Sequence, residues 1–334
     1  MNAKPVLYGD VSRWGLIEAD TLALLPALPP ASVDVVVTDP PYGISITGQA
    51  WDGRAICQAA QAPRGESHNE AFERWTARWA AECLRLLKPG GHLLAFGSPR
   101  TFHRLVAGVE DAGLEVRDQL IWLNGQGMPK SRRIPGGLGT ALKPAFEPIL
   151  LARRPFEGRL DATLARWGTG ALDIDATRLA EGRWPANVVL SHAVACSEAA
   201  CVPECPTRVI DAGEDELQPS RFFYCAKASR LEREAGCEDL AARRAQIFTG
   251  AKRAGRTVRN IHPTVKPLEL MRWLVRLACP AGGVVLDPFC GSGSTGAAAL
   301  LEGRQFVGIE RERDYVEIAR ARLDHWATQA RSSA

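Results

Sequence analysis

The chain has 334 residues, 46% of them hydrophobic, which suits one large α/β domain with an inserted module, or two domains. No apolar run is long enough to span a bilayer, and Met1-Asn2-Ala3-Lys4-Pro5 does not open a secretion signal, so a cytoplasmic enzyme without a membrane partner is expected. A formal net charge of only +3 makes bulk charge a weak argument for a nucleic-acid partner.

The first strong element is the apolar run Val33-Asp34-Val35-Val36-Val37-Thr38, which reads as a buried strand and ends in Asp39-Pro40-Pro41-Tyr42. This places a carboxylate, two rigid prolines and an aromatic face at the carboxyl end of a strand, equipment that suits an exocyclic amine on a planar base. The lone pair of such an amine is delocalised into the ring, and acceptors on its N–H bonds free it to attack. Asp39 can accept one N–H and the Pro40 carbonyl the other, while Tyr42 stacks on the ring. Proline fixes φ and holds these acceptors ready in advance. A Pro-Pro turn that merely terminates a strand is the plain alternative.

Downstream, Gly43 to Asn69 is rich in Gly, Gln and Pro and reads as a mobile loop over the site. Trp51 within it either touches ligand or anchors the loop. From Glu70 to Leu87 the spacing of Phe72, Trp75, Trp79, Cys83 and Leu86 predicts a helix with a core-facing stripe. Lys88-Pro89-Gly90-Gly91 ends it, His92 to Gly97 is the next buried strand, Phe102 to Ala112 another helix, and Leu114 to Leu123 a strand or hairpin arm before the turn pair Asn124-Gly125.

From residue 125 to 260 the βα alternation fades, and Arg, Gly and Pro become common. Arg132, Arg133, Arg153, Arg154 and Arg183 are candidates for phosphate or base contacts. The nine cysteines of the chain do not point to disulfides in a cytosolic protein. His192, Cys196, Cys201 and Cys205, with Cys225 downstream, form the right ligand set for a closed structural zinc site, although the tight Cys-x2-Cys knuckle is missing; simple reduced thiols are the equal alternative. From Ala241 to Ile261 the chain carries Arg243, Arg244, Lys252, Arg253, Arg256 and Arg259 with no acid, a basic loop able to neutralise phosphates or simply to stay solvated.

Near the carboxyl terminus, Val284-Val285-Leu286 runs into Asp287-Pro288-Phe289-Cys290-Gly291-Ser292-Gly293-Ser294-Thr295 and an Ala-rich stretch, a strand, a glycine turn and a helix. The two glycines allow close backbone approach, and the new helix offers unpaired N–H groups to a ligand. Phe306-Val307-Gly308-Ile309-Glu310 is the next strand and ends in an acid where a nucleotide-like ligand has its ribose hydroxyls held. The two motifs meet if Val284–Leu286 is the first strand of a doubly wound sheet and Val33–Thr38 the fourth, since ligands bind where the strand order reverses. The expected fold is a permuted, doubly wound α/β domain.

These motifs, together with His262-Pro263-Thr264-Val265-Lys266-Pro267 and Ile17-Glu18-Ala19-Asp20, resemble the beta class of amino-group DNA methyltransferases, in which the catalytic motif precedes the target-recognition region and the cofactor motif comes last. Lys143-Pro144-Ala145-Phe146-Glu147-Pro148-Ile149 and Arg221 to Lys227 look like segments of bacterial and phage members. The resemblance implies a Rossmann-like methyltransferase sheet divided into a catalytic half (1–124), a recognition insert (125–260) and a cofactor half (261–334). It implies S-adenosylmethionine as methyl donor and double-stranded DNA as substrate, with one base flipped out of the helix. It also implies a homodimer and a restriction-modification setting, although the chain carries no nuclease motif. By resemblance, Asp39, Pro40, Pro41 and Tyr42 are catalytic. Asp287, Pro288, Phe289, Gly291, Ser292, Gly293 and Ser294 shape the cofactor pocket, Glu310 holds the ribose, Asp20 lies near the cofactor adenine, and Lys266 lies by the methionine carboxylate. Asp rather than Ser at the first catalytic position points to adenine N6 over cytosine N4. A non-catalytic DNA-binding regulator is the alternative of another class.

Overall fold

The computed structural model describes residues 5–45, 48–63, 65–123, 133–179, 182–191, 223–225, 227–244 and 257–332. Its strands are β1 Val6–Tyr8, β2 Trp14–Glu18, β3 Val33–Thr38, β4 Leu87–Phe96, β5 Glu115–Leu123, β6 Arg133–Ile134, β7 Leu138–Gly139, β8 Phe146–Arg153, β9 Val188–Leu190, β10 Phe223–Tyr224, β11 Arg243–Arg244, β12 Thr257–Val258, β13 Val284–Asp287 and β14 Gln305–Glu310. Ten of them form one sheet in the order β1-β2-β14-β13-β3-β4-β8-β5-β9-β10, and β6–β7 and β11–β12 are separate two-stranded antiparallel sheets.

The centre of the sheet is parallel from β2 through β14, β13 and β3 to β4. Strand β13 lies beside β3 with Val285 opposite Val35 and Leu286 opposite Val36, so the two motifs leave the same rim of the sheet on neighbouring strands. This is the permuted, doubly wound arrangement expected from the sequence. All six residues of β3 are buried because helices cover both faces. Val35, Val37, Leu94, Phe96 and Val285 face one core with the helices Leu268–Ala278, Ser294–Leu301 and Arg313–Ser332. Val33, Val36, Leu93, Ala95 and Leu286 face the other with the helices His68–Leu86 and Phe102–Asp111. From Val35 onward the alternation is that of a pleated strand with two dry faces, and between Val33 and Val35 the register against β4 shifts. Asp34 is the charged exception. Its Oδ1 takes the Lys88 ammonium at 2.7 Å and its Oδ2 the Val284 N–H at 2.8 Å, which ties the foot of β3 to both of its neighbours.

The helix His68–Leu86 starts on a capping box formed by Ser67 and Glu70 and buries Phe72, Trp75, Trp79, Cys83 and Leu86, the stripe read from the sequence. The stretch 43–69, read as a loop, contains a 3-10 turn at Ala50–Asp52 and the helix Arg54–Ala59; the buried Ile56 side chain anchors it in the second core.

The range 125–260, read as an insert, supplies β8, β9 and β10 to the main sheet, and β8 lies in its interior, antiparallel between β4 and β5. Its register sets Ile149 opposite Phe96 and Arg153 opposite His92, so β8 begins at the rim that carries Asp39 and ends on the far side. Arg153 is therefore not at the cleft. It pairs with Glu115 at 2.7 Å, and Arg154 donates to the Arg85 and Leu87 carbonyls. Of the proposed zinc ligands, His192, Cys196, Cys201 and Cys205 lie outside the described residues, as do Arg132 and the turn pair Asn124-Gly125. Among the described residues there is no cluster of three His, Cys, Asp or Glu able to hold a metal. Among them, too, no helix is long and apolar enough to cross a membrane.

Candidate active site

The turn Asp39–Gly43 is held from three directions. Asp52, 1% exposed, accepts the Tyr42 and Gly43 N–H groups on one carboxylate oxygen at 2.6 and 2.8 Å. The Thr101 hydroxyl donates to the Tyr42 carbonyl at 2.6 Å, and His68 Nε2 donates to the Gly43 carbonyl at 2.8 Å. Gly43 adopts φ +67, and a Cβ there would stand 2.7 Å from the Phe72 ring. Among the described residues, the Pro40 carbonyl has no hydrogen-bond donor.

Next to this turn lies a compact cluster of charges. Asp39 Oδ1 accepts the Tyr42 hydroxyl at 2.7 Å, and its Oδ2 lies 2.8 Å from Lys266 Nζ. The same ammonium reaches Glu147 Oε2 at 3.0 Å and the Tyr42 oxygen at 3.1 Å. It also lies over the Phe96 and Tyr42 rings, 4.8 and 5.5 Å from their centres. Burial lifts Asp39 above the usual carboxylate range, and Lys266 offsets this only in part. Burial pushes Glu147 the same way, but the charge and hydrogen bond of Lys266 outweigh it and hold Glu147 below its ordinary value. Burial pulls Lys266 down, yet Asp39 and Glu147 together keep it above its ordinary value, so the cluster is a protonated lysine between two acids.

On the neighbouring strand, Asp287 is 2% exposed and has both oxygens occupied, Oδ1 by the Thr38 hydroxyl and the Phe289 N–H, Oδ2 by the Thr295 hydroxyl. Burial raises its carboxyl to about 6 despite these donors. The glycine turn that follows is braced from several sides. The Phe289 ring packs 5.3 Å from Trp75 and 5.6 Å from Trp79, and the Pro288 carbonyl accepts the Thr21 hydroxyl. Gly291 has φ +53, and a Cβ there would stand 2.7 Å from His262 Nε2. Glu310 accepts the Gly291 N–H at 2.8 Å and those of Arg311 and Glu312 at the same distance. Ser294 Oγ is buried and has no hydrogen-bond partner among the described residues. Asp20 caps its own short helix through the Ala23 N–H at 3.2 Å and lies 3.6 Å from Arg311.

One cleft, enclosing about 1140 Å³ with its open mouth, is lined by every cofactor and catalytic residue picked out from the sequence except Gly293. Gly293 opens the helix Ser294–Leu301 at φ +79, where a Cβ would meet Ala319 at an ordinary contact distance of 3.4 Å. Lys266 is set against Asp39, not among the residues of the glycine turn.

Residues 33–321 match the N6/N4 methyltransferase family described as DNA methylase. The chain belongs to this DNA methylase family. It is 23% identical over 318 residues to the type II methyltransferase M2.DpnII of Streptococcus pneumoniae, covering 95% of this chain and 92% of that one. It is 21% identical over 311 residues to the type II methyltransferase M.HinfI of Haemophilus influenzae, covering 92% and 67%. In three dimensions it shares the fold of PvuII DNA methyltransferase (cytosine-N4-specific), with a TM-score of 0.59 at 16% identity over 97% of this chain and 94% of that one.

Two residues of this DNA methylase escaped the sequence reading. Glu147 lies in a segment quoted for its resemblance, but a single acid at the start of a strand carries no local mark of function. Asp52 was hidden in the stretch read as a loop. Its only signal is an acid placed shortly after the Pro-Pro-Tyr turn, with two freed N–H groups to satisfy.

Proposed function

We propose that this DNA methylase transfers a methyl group from S-adenosylmethionine to N6 of an adenine flipped out of double-stranded DNA. The observation that carries the reading is the adjacency of β3 and β13, which puts the Asp39 carboxylate and the glycine turn in one cleft. The cofactor half fits the donor. Gly291, where a Cβ would collide with His262, keeps the turn bare beside the cleft, and the Ser294 hydroxyl, without a hydrogen-bond partner among the described residues, lines it; Glu310 and Asp20 line the same cleft, and in this reading they hold the ribose and lie near the adenine. When bound, S-adenosylmethionine supplies an electrophilic methyl on a sulfonium.

The remaining work falls to the chain itself. Asp39 and the Pro40 carbonyl accept the two N–H bonds of the target amine and turn its lone pair toward the methyl donor. Tyr42 stacks on the extruded ring, recovering part of the few kcal/mol that unstacking costs. The amine is itself the nucleophile, so no covalent enzyme intermediate is needed, and the cysteines have no required role. Once methylated, the nitrogen sheds a proton, and Asp39, made more basic by burial, is placed to receive it. Asp rather than Ser at this position supports adenine over cytosine. Residues 125–260 with their basic loop carry target recognition in this reading, and the working unit is a homodimer.

Mass analysis of nucleosides from DNA treated with the purified protein tests this directly. N6-methyladenine is the expected product. N4-methylcytosine would replace the target base and keep the chemistry, and an unmodified digest would leave a DNA-binding regulator.

A further inference from the structure

Lys266 is the part of the cleft that the transfer chemistry leaves unused. Its side chain is 6% exposed and touches both Asp39 and Glu147. Burying an ammonium so completely costs free energy unless its charge is matched. One carboxylate is enough for that match, and this lysine has two. A simple tether for Asp39 needs no second acid. Glu147 therefore gives the ammonium a seat that persists when Asp39 Oδ2 turns to another partner.

The partner that Asp39 turns to has a defined pattern. In adenine and in cytosine the exocyclic amine is one arm of an amidine, an N–H donor directly beside an unprotonated ring nitrogen that can only accept. Its complement is an acceptor directly beside a donor. Asp39 Oδ2 and Lys266 Nζ, 2.8 Å apart at the end of β3, are such a pair. We propose that Lys266 Nζ donates a hydrogen bond to the ring nitrogen next to the target amine, N1 of adenine or N3 of cytosine, and that Glu147 is the positioning residue that keeps the ammonium there. The inference rests on the methyl-transfer reading and adds to it how the pocket selects its base. Guanine and thymine present a ring N–H beside a carbonyl oxygen, which would set donor against Lys266 and oxygen against Asp39. Such a mismatch leaves buried polar groups unpaired, the strongest means of rejection a pocket has. The competing role for the same ammonium is to hold the methionine carboxylate of the cofactor.

Binding is measured by fluorescence anisotropy in the presence of S-adenosylhomocysteine, once the modified sequence has been mapped. Two duplexes are compared, each with an abasic site opposite the target so that no base-pair bond changes between them, one with the normal target base and one with the ring nitrogen replaced by C–H (1-deazaadenine, or 3-deazacytosine if the product is N4-methylcytosine). The wild-type protein is expected to bind the deaza duplex roughly tenfold or more weakly, the worth of a hydrogen bond from a charged group. Lys266→Met should bind both duplexes alike, with its S-adenosylhomocysteine affinity by calorimetry within about twofold of wild type. Glu147→Gln should narrow the preference severalfold, and it supplies the test if Lys266→Met does not fold. A wild-type protein indifferent to the deaza change overturns the inference. So does a Lys266→Met protein that keeps the preference, or one that loses cofactor affinity instead. A Glu147→Gln protein with the full preference removes Glu147 from the role. A wild-type protein that modifies no DNA overturns the methyl-transfer reading itself.

Discussion

Thr38 and Asp287, 249 residues apart in the chain, are joined by a hydrogen bond of 2.7 Å from the threonine hydroxyl to a carboxylate oxygen, at the point where β3 and β13 deliver the proposed catalytic and cofactor motifs to the same rim. The bond lies inside the protein, and both residues are at most 2% exposed. It couples the backbone just before Asp39 to the carboxylate just before the glycine turn.

Thr38→Val removes the donor and leaves the Asp287 oxygen with only the Phe289 N–H. Urea denaturation should show a loss of about 1–3 kcal/mol, the cost of an under-satisfied buried acceptor. The same variant should show a raised KM for S-adenosylmethionine, because the turn after Asp287 loses a fixed reference.

Asp287 should also leave a mark on the pH dependence of stability. Its folded carboxyl titrates at about 6 against 3.8 for the free side chain, because burial outweighs the donors from Thr38, Thr295 and Phe289. The other titratable groups facing it are Asp39 and the thiols of Cys83 and Cys290, which burial keeps protonated. Between those two values the folded state holds a proton that the unfolded state has lost. The contribution to stability is thus greatest at the acid end and falls as pH rises through about 6, by on the order of 2–3 kcal/mol in all. Melting curves of wild type and Asp287→Asn from pH 4 to 7 should differ by this slope, and parallel curves would refute it.

Asp39→Ala removes the acceptor proposed for the amine and should lower the transfer rate at least about a hundredfold. Cofactor affinity, measured by calorimetry, should stay within a few-fold, because among the described residues neither the glycine turn nor Glu310 hydrogen-bonds to Asp39.

Asp52→Ala strips the shared acceptor from the Tyr42 and Gly43 N–H groups. Stability should fall by about 1–3 kcal/mol. Single-turnover transfer should slow by roughly tenfold or more as the turn loses its fixed geometry, although Asp52 is not one of the acceptors proposed for the amine.

Gly291→Ala sets a methyl group against His262 and forces alanine into φ +53. The backbone penalty alone is about 1–2 kcal/mol. S-adenosylmethionine binding should weaken at least tenfold, and a second change, His262→Ala, should recover only part of it, because the φ strain persists.

Much of this protein is legible in its sequence because the decisive segments are contiguous. A run of β-branched residues closed by Asp-Pro-Pro-Tyr, and a strand broken by Gly-x-Gly before an Ala-rich helix, each state their chemistry through local backbone conformation. The pattern from Phe72 to Leu86 does the same for its helix, because helical periodicity is also local. Glu147, Asp52 and the partners of Lys266 are of another kind. A single acid in a strand or a loop carries no periodicity and no turn signal, and its role exists only once distant segments meet. Glu147 reaches the cleft because β8 is threaded antiparallel between β4 and β5, which carries the start of that strand to the rim beside Asp39. Lys266 ends against Asp39 because its segment leads into the helix Leu268–Ala278, packed on the face of β3 that carries Val35 and Val37. The sequence alone thus determined which local segments form the candidate site and in what order they come. Which charges face one another across the cleft was decided by sheet order and strand direction, which long-range packing sets and no short stretch of chain encodes.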